Sequence, residues 1–268
     1  MTIEQTKSYL HRLGITDHPE PTLATLRTLQ NVHQCTVPFE NFDVYLRRPL
    51  DLSVTGIHDK IVRRKRGGYC FELNTLYGAL LQALGYEVRP VMGRVLIRTQ
   101  PSFVPSRTHL LHLVKLDEAW YVTDVGLGGL ASRTPLPLIA DQVFTDGDGE
   151  LRLRPLRTGE YRLDRNTPDG WQAQCRFETQ PAFPSDIAQG NFYVEHSPTS
   201  HFRLHRFIGL FTPYGRIGLF DNQFSQRVGL TVTKREEVAD GATWLATLRS
   251  QFGVKTELDD LDWDRLAQ

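Results

Sequence analysis

Cysteine is scarce in this chain of 268 residues: Cys35, Cys70 and Cys175, an odd number without pairable spacing. A disulfide framework is not expected, and a reducing, cytoplasmic setting is. Net charge is missing as well, because 31 basic residues balance 31 acidic ones. A protein that grips nucleic acid by bulk charge would carry a basic excess, so no nucleic-acid partner is expected. No apolar run approaches the roughly 20 residues that span a bilayer, so no membrane partner is expected. Residues 1–14 lack the apolar stretch of a secretory signal, and export is not expected. There is no internal repeat and no low-complexity segment. What remains is an ordinary globular composition, 40% hydrophobic and 23% charged. A chain this long can bury a core as one large domain or two to three packed units.

The first 85 residues or so read as helical. Thr2 and Gln5 form a capping-box pattern before a helix that stops at Gly14. Thr22 starts a second helix through Leu23, Leu26, Leu29 and Val32, ended by Pro38. The strongest period begins at Cys70: Leu73, Leu76, Tyr77, Leu80, Leu81 and Leu84 recur at steps of three and four, and Gly85 follows as a C-terminal cap. The period then changes to two over residues 87–98 and 110–125. Strand-like runs continue at 151–156, 160–163 and 171–177, separated by Asp-Gly and Pro-Asp-Gly turns. Residues 191–233 read as strand, residues 235–252 as helix, and the acidic residues 257–268 as a loosely held tail. Helices followed by runs of strands predict an α+β fold.

The most informative stretch is Arg66-Gly67-Gly68-Tyr69-Cys70-Phe71-Glu72-Leu73-Asn74. It puts a cysteine in the first turn of a helix. The free N–H groups and positive dipole end there favour thiolate and could hold an oxyanion. A plain alternative is a small buried residue at a helix start. A nucleophilic cysteine needs a base, and the base needs an orienting group. His109, His112 and Asp124 lie in what reads as a hairpin turning at Asp117-Glu118. A two-residue loop puts His109 on the face of Asp124, one diagonal step away; one more residue puts His112 there instead. Local geometry leaves the two histidines open. Asp124 interrupts an apolar strand, where a carboxylate needs a partner; otherwise it caps the turn at Gly126–Gly129.

Several pieces recur together: Val37-Pro38-Phe39-Glu40-Asn41-Phe42, the nine-residue cysteine motif, Thr108-His109 and Asp124-Val125-Gly126-Leu127-Gly128. In these the sequence resembles the arylamine N-acetyltransferase family. Asn191-Phe192-Tyr193-Val194 and Ser200-His201-Phe202 extend the resemblance more weakly. It implies a catalytic triad of Cys70, His109 and Asp124, and so prefers His109 over His112. It implies a helical bundle over 1–88, a β-barrel over 89–190 and an α/β lid over 191–268. It further implies that Phe39, Val95 and Leu127 bind the acceptor, with Leu127 standing where many relatives carry an aromatic. Gly126, Gly128 and Gly129 are implied to lie near the coenzyme A pyrophosphate.

The expected activity is ping-pong transfer of an acetyl group from acetyl-CoA, through acetyl-Cys70, to an arylamine, hydrazine or arylhydroxylamine. The alternative is a cysteine-triad amide synthase or hydrolase acting on another acyl substrate. No metal is expected. His201 and His205 are four apart, but residues 201–211 read as strand, which puts no two ligands on a helical face. The basic run Arg63-Arg64-Lys65-Arg66 reads as a solvated face, with Arg66 free to turn inward beside the motif.

Overall fold

The helix that opens at Cys70 is apolar almost all round, and the rest of the molecule is arranged to cover it. In the computed structural model, which describes residues 1–97, 99–100, 102–256 and 261–268, ten residues of this helix are buried. Helices α1 (Ile3–Arg12) and α2 (Leu23–Thr36) precede it. They are followed by strand β1 (Phe39–Glu40), short helices α3 (Phe42–Tyr45) and α4 (Val54–His58), a π-helical turn at Asp59–Arg63, and the cysteine helix itself, α5 (Cys70–Ala83). Thr2 and Gln5 make the expected capping box on α1, and Gly85 takes the left-handed φ of +92° beyond α5.

Strands β2 (Glu87–Val95), β3 (His109–Leu116), β4 (Ala119–Thr123), β5 (Leu136–Pro137), β6 (Val143–Asp146), β7 (Gly149–Arg157), β8 (Glu160–Thr167) and β9 (Gly170–Glu178) make one antiparallel sheet. Their order is β5-β4-β3-β2-β9-β8-β7-β6, and a bridge from Ala140 to Leu153 brings the two ends nearly together. Leu111, Leu113, Leu151, Leu153 and Phe177 fill the interior of this nearly closed barrel. The even-numbered face of β3 turns the other way, and Val114 joins the helical core with Leu76, Leu80 and Leu84. The architecture is α+β.

The last third differs from the sequence expectation. Residues 191–196 belong to helix α6 (Pro184–His196), and His201–Leu204 form a further helical turn, α7. Pro184 begins α6, and the Asp186 carboxylate accepts the Phe183 N–H at 2.8 Å. Its buried face is Gly190, Asn191 and Val194, while Phe192 and Tyr193 stand exposed. The helix therefore inverts the hydrophobic pattern that periodicity looks for. Strands β10 (Phe207–Thr212), β11 (Gly215–Phe220), β12 (Gln223–Val228) and β13 (Thr231–Glu237) then form a second sheet, ordered β1-β10-β11-β12-β13. The expected helix over 235–252 begins only at Ala242, as α8 (Ala242–Phe252), because β13 continues to Glu237 and Gly241 turns the chain at φ +69°. β13 is an exposed edge strand, so it carries no alternation to read.

Residues 257–260 of the expected tail, and residue 98 of the expected strand 87–98, lie outside the described residues. The rest of the tail is packed. Leu261 and the helical turn α9 (Trp263–Leu266) are buried in the core of the second sheet with Trp244 and Phe252. Acidic residues at the surface masked three apolar ones beneath. Trp263 also packs edge-on to Phe42 and lies under the Arg66 guanidinium at 5.5 Å. Trp263→Ala should cost about 3–5 kcal/mol of stability, read as a shift in the denaturant midpoint.

His33 of α2 is fully buried between Tyr9 and Tyr77, and neither ring nitrogen has a hydrogen-bond partner among the described residues. Burial, helped by the nearby charge of Arg12, pushes its pKa down to about 3. An unfolded histidine takes up its proton near 6.5. Between these values the unfolded chain binds more protons, so stability falls as pH falls from about 6.5 towards 3. His33→Phe removes this contribution. Chemical denaturation at pH 7 and pH 4.5 should show the wild type losing more stability on acidification than the variant.

Candidate active site

Arg66 sits one turn of chain before the cysteine and is almost wholly buried, so the basic run is not one solvated face. Its guanidinium binds Glu40 at 2.7 Å and Asp43 at 2.9 Å. Lys60 lies beside it, 2.6 Å from Asp43, 2.7 Å from Glu72 and 3.8 Å from Glu40. Glu72 turns its other oxygen to the Tyr69 N–H at 3.1 Å, which caps the first turn of α5. Glu40 likewise accepts the Phe42 N–H at 2.8 Å. Burial and the neighbouring carboxylates raise the Glu72 pKa against the pull of Lys60. The two glycines of the motif are there for space. A Cβ on Gly67 would come within 2.1 Å of the Pro38 carbonyl, and one on Gly68 within 2.9 Å of Glu72.

Cys70 is thus held at the start of α5, and its thiol lies 3.7 Å from the Thr108 carbonyl. The next residue, His109, begins β3. The β3–β4 register pairs His112 with Thr123 and Leu116 with Ala119, so the loop is the two residues Asp117-Glu118. His109 is the histidine that meets Asp124, Nε2 to Oδ2 at 2.6 Å. His112 points to the other side and donates from Nε2 to the Asn74 carbonyl at 2.6 Å. Asp124 does both things proposed for it. Oδ2 holds His109, while Oδ1 accepts the Gly126 N–H at 2.8 Å and the Asn74 amide at 2.9 Å.

Burial alone would lower the His109 pKa, but the Asp124 carboxylate and the adjacent Cys70 thiol raise it to about 10. Burial would raise Asp124; the charge and hydrogen bond of His109, then the bonds from Asn74 and Gly126, bring it below the usual carboxylate range. At neutral pH the pair is imidazolium and carboxylate. An imidazolium beside a sulfur stabilises the thiolate form, which is the one that attacks acyl carbon.

The other expected residues divide. Phe39 packs against the cluster that contains Tyr69, Cys70 and Phe71, and stacks on Phe207 at 5.9 Å between ring centroids. Phe202 completes that aromatic group, 6.3 Å from Phe39 and 5.4 Å from Tyr69. In the sequence Phe202 stands only in the weak Ser200-His201-Phe202 motif; no local signal marks it, because tertiary packing alone brings it here. Val95 is partly buried against the barrel interior, and Leu127 is buried within it, beside a cavity of about 20 Å³ that Asp124 and Cys175 also line. Gly126 lies against Cys70: a Cβ there would stand 2.8 Å from the Cys70 Cα. Gly128 and Gly129 turn the chain at positive φ, and the space beside Gly128 is open. Among the described residues no group of histidine, cysteine and carboxylate side chains is arranged to hold a metal ion.

Known proteins match this chain along nearly its whole length. A family model described as N-acetyltransferase matches residues 22–261. The arylamine N-acetyltransferase of Escherichia coli strain K12 is 36% identical over 248 residues, 92% of this chain and 87% of the relative. The chain belongs to the arylamine N-acetyltransferase family. It is an acyltransferase. The solved arylamine N-acetyltransferase of Salmonella typhimurium superposes with a TM-score of 0.90 at 34% identity, covering 95% of this chain and 92% of that one. The Mycobacterium marinum arylamine N-acetyltransferase, solved in complex with CoA, gives 0.87 at 32% identity and covers 92% of each. No described helix is long and apolar enough to cross a membrane.

Replacing Asp124 with Asn removes the charge that outweighs burial. The His109 midpoint should fall from about 10 to below 6.5, followed by NMR titration of the imidazole ring protons. Alkylation of Cys70 by iodoacetamide at pH 7 should slow by about a hundredfold or more.

Proposed function

We propose that this acyltransferase carries acetyl groups from acetyl-CoA to arylamines, hydrazines and arylhydroxylamines by a ping-pong route through Cys70. The observation that carries this reading is the junction of the Cys70 thiol, the His109 imidazole and the Asp124 carboxylate at one helix N-terminus. The Cys70 thiolate attacks the thioester carbonyl. Negative charge on the carbonyl oxygen is met by main-chain N–H groups at the start of α5. The bond to the coenzyme sulfur breaks, coenzyme A leaves with the proton of His109, and acetyl-Cys70 remains. The acceptor nitrogen, or the oxygen of a hydroxylamine, then attacks the new thioester. Neutral His109 takes the proton and Cys70 leaves as thiolate. The first half exchanges one thioester for another between two thiol sulfurs, so that half is nearly isoenergetic. Asp124 holds one tautomer of His109 and stabilises the imidazolium.

Phe39, Val95 and Leu127 belong to the acceptor side of this reading, supported by the aromatic packing of Phe39 beside Cys70. Gly126, Gly128 and Gly129 belong to the coenzyme side, supported by the open space at Gly128 and its turned main chain. The reading keeps three working units, a helical bundle to residue 88, a barrel to 190 and a lid to 268. It also keeps a cytoplasmic setting, with Cys35, Cys70 and Cys175 all free thiols.

Intact-protein mass spectrometry tests it. Wild type incubated with acetyl-CoA and no acceptor should gain one acetyl group, Cys70→Ala none, and an arylamine or hydrazine should remove the adduct. An adduct formed only with other acyl thioesters or esters overturns the donor and favours the amide synthase or hydrolase chemistry. No adduct with any donor overturns the mechanism.

A further inference from the structure

Asn74 is one turn beyond Cys70 on α5 and is fully buried. Its amide nitrogen donates to the Leu110 carbonyl at 2.6 Å and to Asp124 Oδ1 at 2.9 Å. Its amide oxygen accepts the Val125 N–H at 3.1 Å. A primary amide offers two N–H donors and one carbonyl oxygen, and all of them are used. The three contacts reach the residue after His109, the carboxylate that binds His109, and the residue after Asp124. One side chain rooted in the nucleophile's helix therefore touches the immediate surroundings of both other members.

The main chain of Asn74 is held as well. A carbonyl only accepts, so the 2.6 Å contact from His112 Nε2 fixes the proton of that imidazole on Nε2. Burial lowers the His112 pKa and keeps the ring neutral. The Nε2 corner of the ring lies against Gly78, where a Cβ would come within 2.5 Å of Nε2. Gly78 is the space that lets β3 approach α5 at this turn.

We infer that Asn74 is the positioning residue of this site: it fixes the Cys70 sulfur relative to the His109–Asp124 pair, with His112 and Gly78 seating its turn of helix. The inference rests on the triad reading above. No other side chain of this size supplies two donors and an acceptor. Leucine would leave the Leu110 carbonyl, Asp124 Oδ1 and the Val125 N–H facing an apolar group. Aspartate would set one carboxylate against another at hydrogen-bond distance, so that the two share a proton and Asp124 grips His109 less tightly.

Asn74→Asp, Asn74→Ser and Asn74→Ala are compared with wild type by three readouts. These are the thermal midpoint, the rate of Cys70 acetylation by acetyl-CoA, and the pH profile of Cys70 alkylation by iodoacetamide. Asn74→Asp is nearly isosteric and should fold. It should acetylate about a hundredfold more slowly and shift the alkylation profile, because a misplacement of about 1 Å has that effect on rate. A merely structural asparagine would lower the thermal midpoint and leave the profile of the folded protein alone. Folded variants with the wild-type profile and acetylation within about threefold overturn the inference. Recovery of all three only as unfolded protein overturns it too, making Asn74 a residue of the fold. If wild type is not acetylated but its alkylation profile still depends on Asn74, the acetyl-transfer reading fails and this one stands.

Discussion

Five charges cluster beneath the cysteine turn, four of them buried and Asp43 partly so, and they cannot be there unpaired. Lys60 and Arg66 face Glu40, Asp43 and Glu72 at distances of 2.6–3.8 Å. Removing any one partner would strand a charge in the interior at a cost of several kcal/mol, far above the worth of a surface pair. The partners come from β1, α3, the π-helical turn, α5 and, for Arg66, the loop that leads into α5. The network therefore sets where α5 begins, and so where Cys70 stands. The same segment, through β1, is the edge of the second sheet. The Asn41 side chain ties it further, donating to the Phe202 and His205 carbonyls at 2.8 and 2.7 Å and accepting the Phe207 N–H at 2.9 Å. The aromatic group beside the thiol is thus positioned by the same few residues that position the thiol.

Electrostatics at the site runs in the opposite sense to that of His33. Both histidines are fully buried, and burial pushes both pKa values down. His33 has no carboxylate and stays neutral to about pH 3; His109 has Asp124 at 2.6 Å and stays charged to about pH 10. His112, with only a carbonyl to face, remains neutral. One residue type in one kind of environment is sorted into neutral core, neutral anchor and charged partner of a carboxylate by its nearest neighbour. A low-dielectric site makes that partner decisive.

The site was legible in the sequence where local chemistry carries it. A Gly-Gly-Tyr-Cys turn before a 14-residue apolar helix places a cysteine at a helix N-terminus without reference to anything distant. The two-residue loop at Asp117-Glu118 was one of two readings, and the fold adopts it. Asp117 takes φ +52°, as a tight hairpin turn requires. The last third was less legible. α6 buries glycine and asparagine and exposes phenylalanine and tyrosine, so its period is invisible to a hydrophobicity pattern. Trp263 and Leu266 are hidden among acids at the chain's end and gain their burial from Phe42 and Trp244, some two hundred and twenty and some twenty residues away. For Arg66 the sequence leaves a solvated face and an inward turn both open, because the carboxylates that bury it lie 23 and 26 residues earlier. In each case the deciding partner is distant in sequence, where no local pattern can record it.

The pairing of His109 with Asp124 depends on parity. The β3–β4 register puts Leu111 opposite Asp124 when continued one residue past Thr123, so His109 reaches the carboxylate on the diagonal. Side chains alternate faces along a strand, and a slip of one residue would present His112 to Asp124 and His109 to α5. His112 already occupies the α5 side, with its Nε2 committed to the Asn74 carbonyl and its ring filling the space above Gly78. A slipped register would set Leu113 against that carbonyl and that space, and His112 where Leu111 now stands opposite Asp124. The two histidines are therefore not redundant candidates for one role. Each fixes the other's face, and the helix that His112 seats is the helix that carries Cys70, the thiol beside His109.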